Sequence, residues 1–98
     1  MLTQSLQTRT LGELRQLVNQ ILCEYNQFVV GAFPLTERIL VRAGEACGVY
    51  FCLHGPRAVR STAIWENSQN TVLFYGATGE RFQKIQLAKG PRLEAAVA

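Results

Sequence analysis

The fold of this chain is decided by residues 10–28, which read TLGELRQLVNQILCEYNQF. The stretch opens with a capping box, in which the Thr10 side chain accepts from the residue 13 amide and Glu13 reaches back to the Thr10 amide. Apolar residues then recur at steps of three and four, which places them on one side of a helix. The pattern predicts an amphipathic α-helix over residues 10–28. Its apolar stripe consists of Leu11, Leu14, Val18, Ile21, Leu22, Tyr25 and Phe28.

Beyond this helix the pattern changes to short runs that are typical of β-strands. Gly31 and Pro34 oppose continuation of the helix. Short turns join neighbouring strands as hairpins, so the later runs predict an antiparallel meander. We therefore expect an α+β fold in which one N-terminal amphipathic helix packs on a four- to five-stranded antiparallel meander sheet. The predicted strands lie at residues 36–42, 48–53, 58–65, 71–75 and 80–87.

The length and composition of the chain fit one domain. The 98 residues, 48% of them hydrophobic, are enough for one core. We expect a single domain over residues 1–98, with tails at 1–9 and 89–98. No apolar run reaches the ~18–20 residues that span a bilayer. Three cysteines, an odd number, do not suggest a secreted disulfide framework. A cytoplasmic location follows as the expectation.

The charge of the chain is modestly positive and comes mainly from arginine. The net charge is +3, and eight Arg and two Lys face seven Glu and no Asp. Asp is common at metal, phosphoryl-transfer and nucleophile-orienting sites, so its absence disfavours many enzyme mechanisms. Arginine offers forked donors to carboxylates and phosphates. The composition therefore fits an acidic partner as well as an ordinary solvated surface.

Alternation along the strands assigns side chains to the two faces of the sheet. This assignment needs an odd-numbered loop or a bulge between the second and third strands. The predicted helix-facing residues are Val49, Phe51, Leu53, Val59, Ala63 and Trp65. The predicted outward-facing residues are Tyr50, Cys52, His54, Arg60, Thr62 and Ile64.

Residues 72–75, with the sequence VLFY, do not alternate. Whichever pair meets the helix, a large apolar pair points to the other side. With Tyr50 and Ile64 this pair predicts an apolar patch on the outer face, unless a strongly curved sheet wraps around the helix and buries it. Such patches on small domains usually mark interfaces. We therefore expect a homodimer formed through the sheet.

The candidate recognition residues lie in and beside residues 51–60, FCLHGPRAVR. Gly-Pro followed by a basic residue is typical of a hairpin turn. We also expect it to suit an anion, because a glycine leaves its amide exposed and the arginines add forked donors. We predict a ligand- or partner-binding site formed by Tyr50, His54, Arg57 and Arg60.

Cys52 and His54 raise the alternative of catalysis or metal binding. Their side chains point the same way, and a Cys–His pair within hydrogen-bond reach makes a nucleophile. However, residues i and i+2 lie roughly 6–7 Å apart, and no Asp exists to orient the imidazole. A zinc site would also need Cys23 and Cys47, at a spacing unlike the close pairs of structural sites. The balance favours a non-enzyme, and no catalytic residue, metal or cofactor is assigned.

Nucleic acid is the remaining alternative partner. Aromatic residues on the strands interleave with arginines, an arrangement that can stack bases. The βαββαβ order and the glycine–aromatic signature of the RNA-recognition fold are absent, and strand aromatics are more often core residues. Nucleic acid is therefore not the favoured partner. The arginines concerned are Arg38, Arg42, Arg57 and Arg60.

The sequence as a whole favours a small intracellular binding or interaction module. We expect it to recognise an acidic or aromatic group, or a protein partner, through the outer face of its sheet. The expected partners are a second copy of the chain, an acidic protein or a small anionic ligand, with no membrane involved. The alternatives are a nucleic-acid-binding domain and a small enzyme that uses Cys52 or His54. The ligand and the pathway stay open.

Overall fold

A computed structural model describes residues 10–88 and 91, and within them one α-helix precedes five β-strands. The strands form one sheet in the order β1-β2-β3-β4-β5, and each neighbouring pair is antiparallel. The predicted α+β fold, a helix on an antiparallel meander, is confirmed with five strands. The elements are α1 Leu11–Asn26, β1 Leu35–Arg42, β2 Glu45–His54, β3 Arg60–Glu66, β4 Thr71–Tyr75 and β5 Arg81–Gln86.

The predicted tails fall almost wholly outside the described residues. This holds for residues 1–9 and for 89, 90 and 92–98. Pro91 is described and is buried. The chain therefore still contacts the folded body at this position, inside the segment expected to be a tail.

The helix begins and ends at recognisable caps. The Glu13 amide donates to Thr10 Oγ1 at 3.1 Å, which is the first half of the predicted capping box. At the other end Gln27 adopts a left-handed backbone with φ 60°. Its amide donates to the Glu24 carbonyl and the Phe28 amide donates to the Cys23 carbonyl, the paired bonds of a Schellman motif. The helix therefore stops two residues before the predicted end at Phe28.

The core lies between α1 and the inner face of the sheet. The buried helix positions are Leu14, Val18, Leu22 and Cys23, and the helix packs against β2 and β3. Near the helix end, the Tyr25 ring stacks on Phe82 of β5 with ring centroids 3.6 Å apart. The sheet supplies the rest of the core from alternate positions, namely Val49, Phe51, Leu53, Ala63, Trp65, Val72, Phe74 and Ile85.

The predicted division of β2 and β3 into two faces agrees with the register. Val49 pairs with Trp65 and Phe51 pairs with Ala63, so these residues lie on the helix side together. The last pair is His54 with Arg60. Five residues, 55–59, then form the connection, and this is the odd count that the apolar pattern required. Val59 lies in that connection rather than in the strand.

The β1–β2 hairpin is tighter than the sequence suggested. The predicted strands 36–42 and 48–53 leave five residues for the turn, but β2 begins at Glu45. Ala43 and Gly44 alone turn the chain, with φ values of 53° and 81°. Two residues with positive φ define the turn that matches the twist of paired strands. A bulge between Leu40 and Val41 then corrects the register with β2.

Candidate functional site

The outer face of the sheet, turned away from α1, carries the candidate site. Within residues 10–88 no helix or strand lies over this face. Tyr50, Ile64 and Leu73 are register partners on consecutive strands, so they form one row across its middle. The row ends in a cation on each side, because Arg38 pairs with Tyr50 and Lys84 pairs with Leu73.

Apolar side chains occupy the β3–β4 side of this outer face. Val72 and Phe74 are buried toward the helix, so Leu73 and Tyr75 point outward. This resolves the ambiguity of the VLFY stretch. The outward side chains of Leu73 and Tyr75 are half-buried. We call the group Leu40, Ile64, Leu73 and Tyr75 the apolar patch.

A depression at one end of the apolar patch carries two opposite charges. It encloses about 180 Å³ and has Leu40, Ile64 and Leu73 along its floor. Arg42 and Glu66 line the same depression. Within residues 10–88 and 91 neither charge has an ion-pair partner, since the ion pair found there joins Arg15 to Glu37.

A second depression lies over β1, β2 and β3, and we call it the β1–β3 groove. It encloses about 410 Å³. Cys52 forms its floor and is 7% exposed. Arginines stand on the two outer strands of the groove, and among the described residues no carboxylate lines it. The lining residues are Thr36, Arg38, Leu40, Tyr50, Cys52, His54 and Arg60.

The imidazole of His54 is fixed at one end of this groove. Its Nε2 lies 2.9 Å from Thr36 Oγ1, within hydrogen-bond distance. The His54 amide donates to the Pro34 carbonyl at 2.9 Å, which ties the end of β2 to the start of β1. Arg60 is the register partner of His54 on β3. A basic pair therefore stands side by side at this end of the groove.

The Cys52 thiol lies between the polar side chains of the groove. Burial raises its pKa, and the smaller opposing effects are the charge of Arg60 and a hydrogen bond with Tyr50. Both side chains therefore act directly on the floor of the groove. Because a raised pKa leaves less thiolate near neutral pH, the environment of Cys52 disfavours nucleophilic chemistry.

The structure brings together three of the four predicted site residues. Tyr50, His54 and Arg60 all line the β1–β3 groove. Arg57 does not line it. Arg57 lies exposed in the short 3-10 turn Pro56–Ala58, with a left-handed φ of 58°. Arg57 therefore lies beyond the ends of β2 and β3, outside the rows of paired residues.

Sequence reasoning left Arg38 and Thr36 out of the site. Both residues line the groove because β1 pairs beside β2, with Arg38 opposite Tyr50 and Thr36 opposite Cys52. The signal is present in the sequence, since alternation along residues 36–42 places Arg38 on the face opposite to Ile39. The missing step was the register of the β1–β2 hairpin, which depends on a two-residue turn and a bulge.

The cysteines do not assemble into a metal site in the part of the chain that is described. Cys23 is buried in the helix core while Cys52 lies on the outer face, so the sheet separates them. Residues 10–88 and 91 contain no group of three or more His, Cys, Asp or Glu side chains that could hold a metal ion. Over the same residues, no helix combines the length and apolarity needed to cross a membrane.

Comparisons with protein-family models, with curated proteins and with solved structures found no match to this chain. What the protein can bind is therefore inferred from the two depressions of the outer face and the charges around them.

Proposed function

We propose that the protein is a binding module that acts through the outer face of its sheet as a symmetric homodimer. The observation that carries this proposal is the apolar patch, which no element of residues 10–88 covers. Contiguous apolar surface of this kind on a small domain usually marks an interface. Removing it from water stabilises association at roughly 25 cal/mol per Å² before the costs of binding are subtracted.

A second copy of the same chain suits the patch because its rim is self-complementary in charge. Arg42 and Glu66 line one depression and are both unpaired within residues 10–88 and 91. In a two-fold interface, residue i of one copy meets residue j of the other, and the reverse contact forms by symmetry. Arg42 of each copy then meets Glu66 of its partner. One pair of opposite charges thus supplies two ion pairs.

The β1–β3 groove supplies the recognition function of this module. Its lining shares Leu40 alone with the charged depression of the patch. A dimer centred on Ile64 and Leu73 therefore leaves most of the groove at the rim of the interface. We propose that an acidic or aromatic group, on a small ligand or an acidic protein, binds there. A cytoplasmic location fits this proposal, because Cys23, Cys47 and Cys52 are all free thiols.

Sedimentation equilibrium of matched variants tests the dimer. We expect wild-type protein to sediment as a dimer and Ile64→Glu as a monomer, since a charge would be buried in the interface. Val29→Glu is the control, because Val29 is 76% exposed and lies outside the sheet. It should leave the dimer intact. Circular dichroism of each variant confirms that its fold is retained.

Charge reversal gives a sharper test of the same interface. Arg42→Glu and Glu66→Arg should each weaken the dimer, because like charges then face each other across the two-fold axis. The double variant R42E/E66R should recover association, since the pair is restored with its signs exchanged. A monomeric wild-type protein, or a double variant no better than the singles, contradicts the proposal.

Nucleic-acid binding is the second candidate, and the cations at both ends of the Arg38–Lys84 row favour it. Aromatic Tyr50 lies in that row beside Arg38. A single-stranded oligonucleotide held by phosphate contacts would lose affinity steeply with added salt, because counterions are released on binding. Fluorescence anisotropy at two salt concentrations measures this. Absent or salt-independent binding removes the candidate.

A further inference from the structure

We propose that the β1–β3 groove binds a small organic oxyanion, a carboxylate or a phosphate monoester, held between Arg38 and Arg60. The inference rests on the proposed recognition role of the outer face, but it does not require the dimer. It assigns a chemical class of ligand to the groove and adds Arg38 to the residues that hold it.

The strand register places the two arginines on either side of the Cys52 floor. Arg38 pairs with Tyr50, and Arg60 pairs with His54. Tyr50 and His54 are four residues apart on β2, which corresponds to about 13 Å along a strand. Cys52 lies midway between them, and both arginines line the same cavity as this thiol. A ligand over Cys52 therefore has one guanidinium toward each end.

The guanidinium groups of the groove are free to donate to a ligand. Within residues 10–88 and 91 neither Arg38 nor Arg60 has a hydrogen bond or ion pair from its side chain. Arg15, on the other side of the sheet, shows the contrast. It donates to both carboxylate oxygens of Glu37 at 2.6 and 2.8 Å. The groove thus contains the forked donors that bind oxyanions, and in the described part of the chain no carboxylate occupies them.

The other lining residues indicate that the ligand has an organic part. The volume of about 410 Å³ falls within the roughly 300–1,000 Å³ typical of small-molecule sites. It is larger than one bare anion needs. Leu40 and the ring of Tyr50 provide apolar contact, and the His54–Thr36 pair adds polar groups at the far end. An aromatic ring carrying one oxyanion fits this lining, because the ring can contact the apolar residues and the oxyanion can accept hydrogen bonds from the arginines.

The unique histidine provides a direct reporter of occupancy. His54 is the single histidine of the sequence, so its imidazole signals in a heteronuclear NMR spectrum need no assignment. We expect saturable shifts of these signals on titration with phenyl phosphate or benzoate. Phenyl phosphate should bind at least about tenfold tighter than inorganic phosphate, because the ring adds apolar contact. The stronger of the two aromatic ligands identifies which oxyanion the groove prefers.

Charge-matched variants distinguish binding in the groove from general attraction of an anion to the positive surface. Arg38→Gln and Arg60→Gln should each weaken phenyl phosphate binding about tenfold or more, the loss expected for a charge-assisted hydrogen bond. Arg57→Gln and Lys84→Gln remove the same charge outside the groove, so they should change the affinity less than about twofold. Equal losses in all four variants, or no saturable shift up to about 10 mM ligand, overturn the oxyanion site.

The same titration distinguishes failure of this inference from failure of the dimer. Phenyl phosphate binding with a monomeric wild-type protein would retain the oxyanion site and reject the dimer. A dimer without any His54 shift would reject the oxyanion site alone. If an oligonucleotide shifts the His54 signals and no small anion does, the groove binds nucleic acid. This result also overturns the inference.

Discussion

Asn70 joins three parts of the sheet through a single side chain. Its Oδ1 accepts from Trp65 Nε1 at 2.9 Å, and its Nδ2 donates to the Leu87 carbonyl at 3.3 Å. Its backbone is left-handed, with φ 54°, a conformation that asparagine tolerates better than most residues. One side-chain amide therefore links the end of β3, the turn into β4 and the exit from β5.

Replacement of Asn70 should be costly even though the residue lies in a loop. Asn70→Ala removes the acceptor of the buried Trp65 indole, which costs about 1–3 kcal/mol. It also leaves a residue with a Cβ in the left-handed region, which costs about 1–2 kcal/mol more. Asn70→Gly removes the same hydrogen bonds, but glycine adopts the left-handed backbone conformation without a Cβ penalty. The glycine variant should therefore be more stable than the alanine variant. Urea denaturation followed by Trp65 fluorescence measures both. Equal midpoints for the two variants contradict the backbone contribution.

The thiol of Cys52 should be unreactive in the folded protein. Its pKa is raised by burial, and the thiolate is the reacting form. We expect iodoacetamide at neutral pH to alkylate Cys52 more slowly in the native state than in urea, as measured by peptide mass spectrometry. Native Cys52 that reacts faster than the unfolded thiol would revive the enzyme alternative.

The predicted helix end at Phe28 is wrong because Phe28 packs outside the helix. Phe28 continues the three-and-four spacing, but it lies beyond Gln27 and packs against Phe33, with ring centroids 4.8 Å apart. It also covers Gly55, where a Cβ would come within 2.6 Å of its ring. Periodicity cannot tell a helical contact from one made by the chain after it has turned.

The Schellman motif at the helix end offers a stabilising substitution. Gln27 is left-handed, where glycine has no Cβ penalty. Gln27→Gly should raise the free energy of unfolding by about 1 kcal/mol. Asn26→Gly is the control, since Asn26 is within the helix and its Nδ2 donates to the Leu22 carbonyl at 2.8 Å, so glycine there should lower stability by about 1 kcal/mol. Thermal and urea denaturation measure both. A Gln27→Gly variant no more stable than wild type contradicts the assigned cap.

At the scale of the whole molecule, Tyr25 and Glu80 connect the helix to the β4–β5 hairpin. Tyr25 Oη donates to Glu80 Oε2 at 2.6 Å, while its ring stacks on Phe82. Thr78 also donates to this carboxylate. Hydrogen bonds from Thr78 and Tyr25 lower the pKa of Glu80 from 4.5 to about 2. The same carboxylate raises the pKa of Tyr25.

This connection should make stability depend on pH in the acid range. Because the pKa of Glu80 is lower in the folded state, its contribution is fully present above about pH 4.5 and is lost as the pH falls toward 2. Glu80→Gln should therefore be less stable than wild type at pH 6, and the difference should close near pH 2. Urea denaturation at a series of pH values measures it. A difference that does not change with pH would contradict the role of the ionised carboxylate. Tyr25→Phe, which keeps the stack on Phe82, should reduce the pH dependence.

The sequence by itself determined the helix, the meander and the inward and outward residues of β2 and β3. Capping, spacing and alternation are local patterns. Because one face of the sheet must be buried, they also decide which side chains point toward the helix. It also placed Tyr50, His54 and Arg60 on one face. Only the tertiary structure decided which residues join them. Arg38 enters the groove because the β1–β2 register sets it beside Tyr50, and Arg57 lies outside it, in the turn between β2 and β3. Register and turn conformation depend on how the chain turns between two strands and where a bulge falls, so the apolar pattern of a single strand does not contain them.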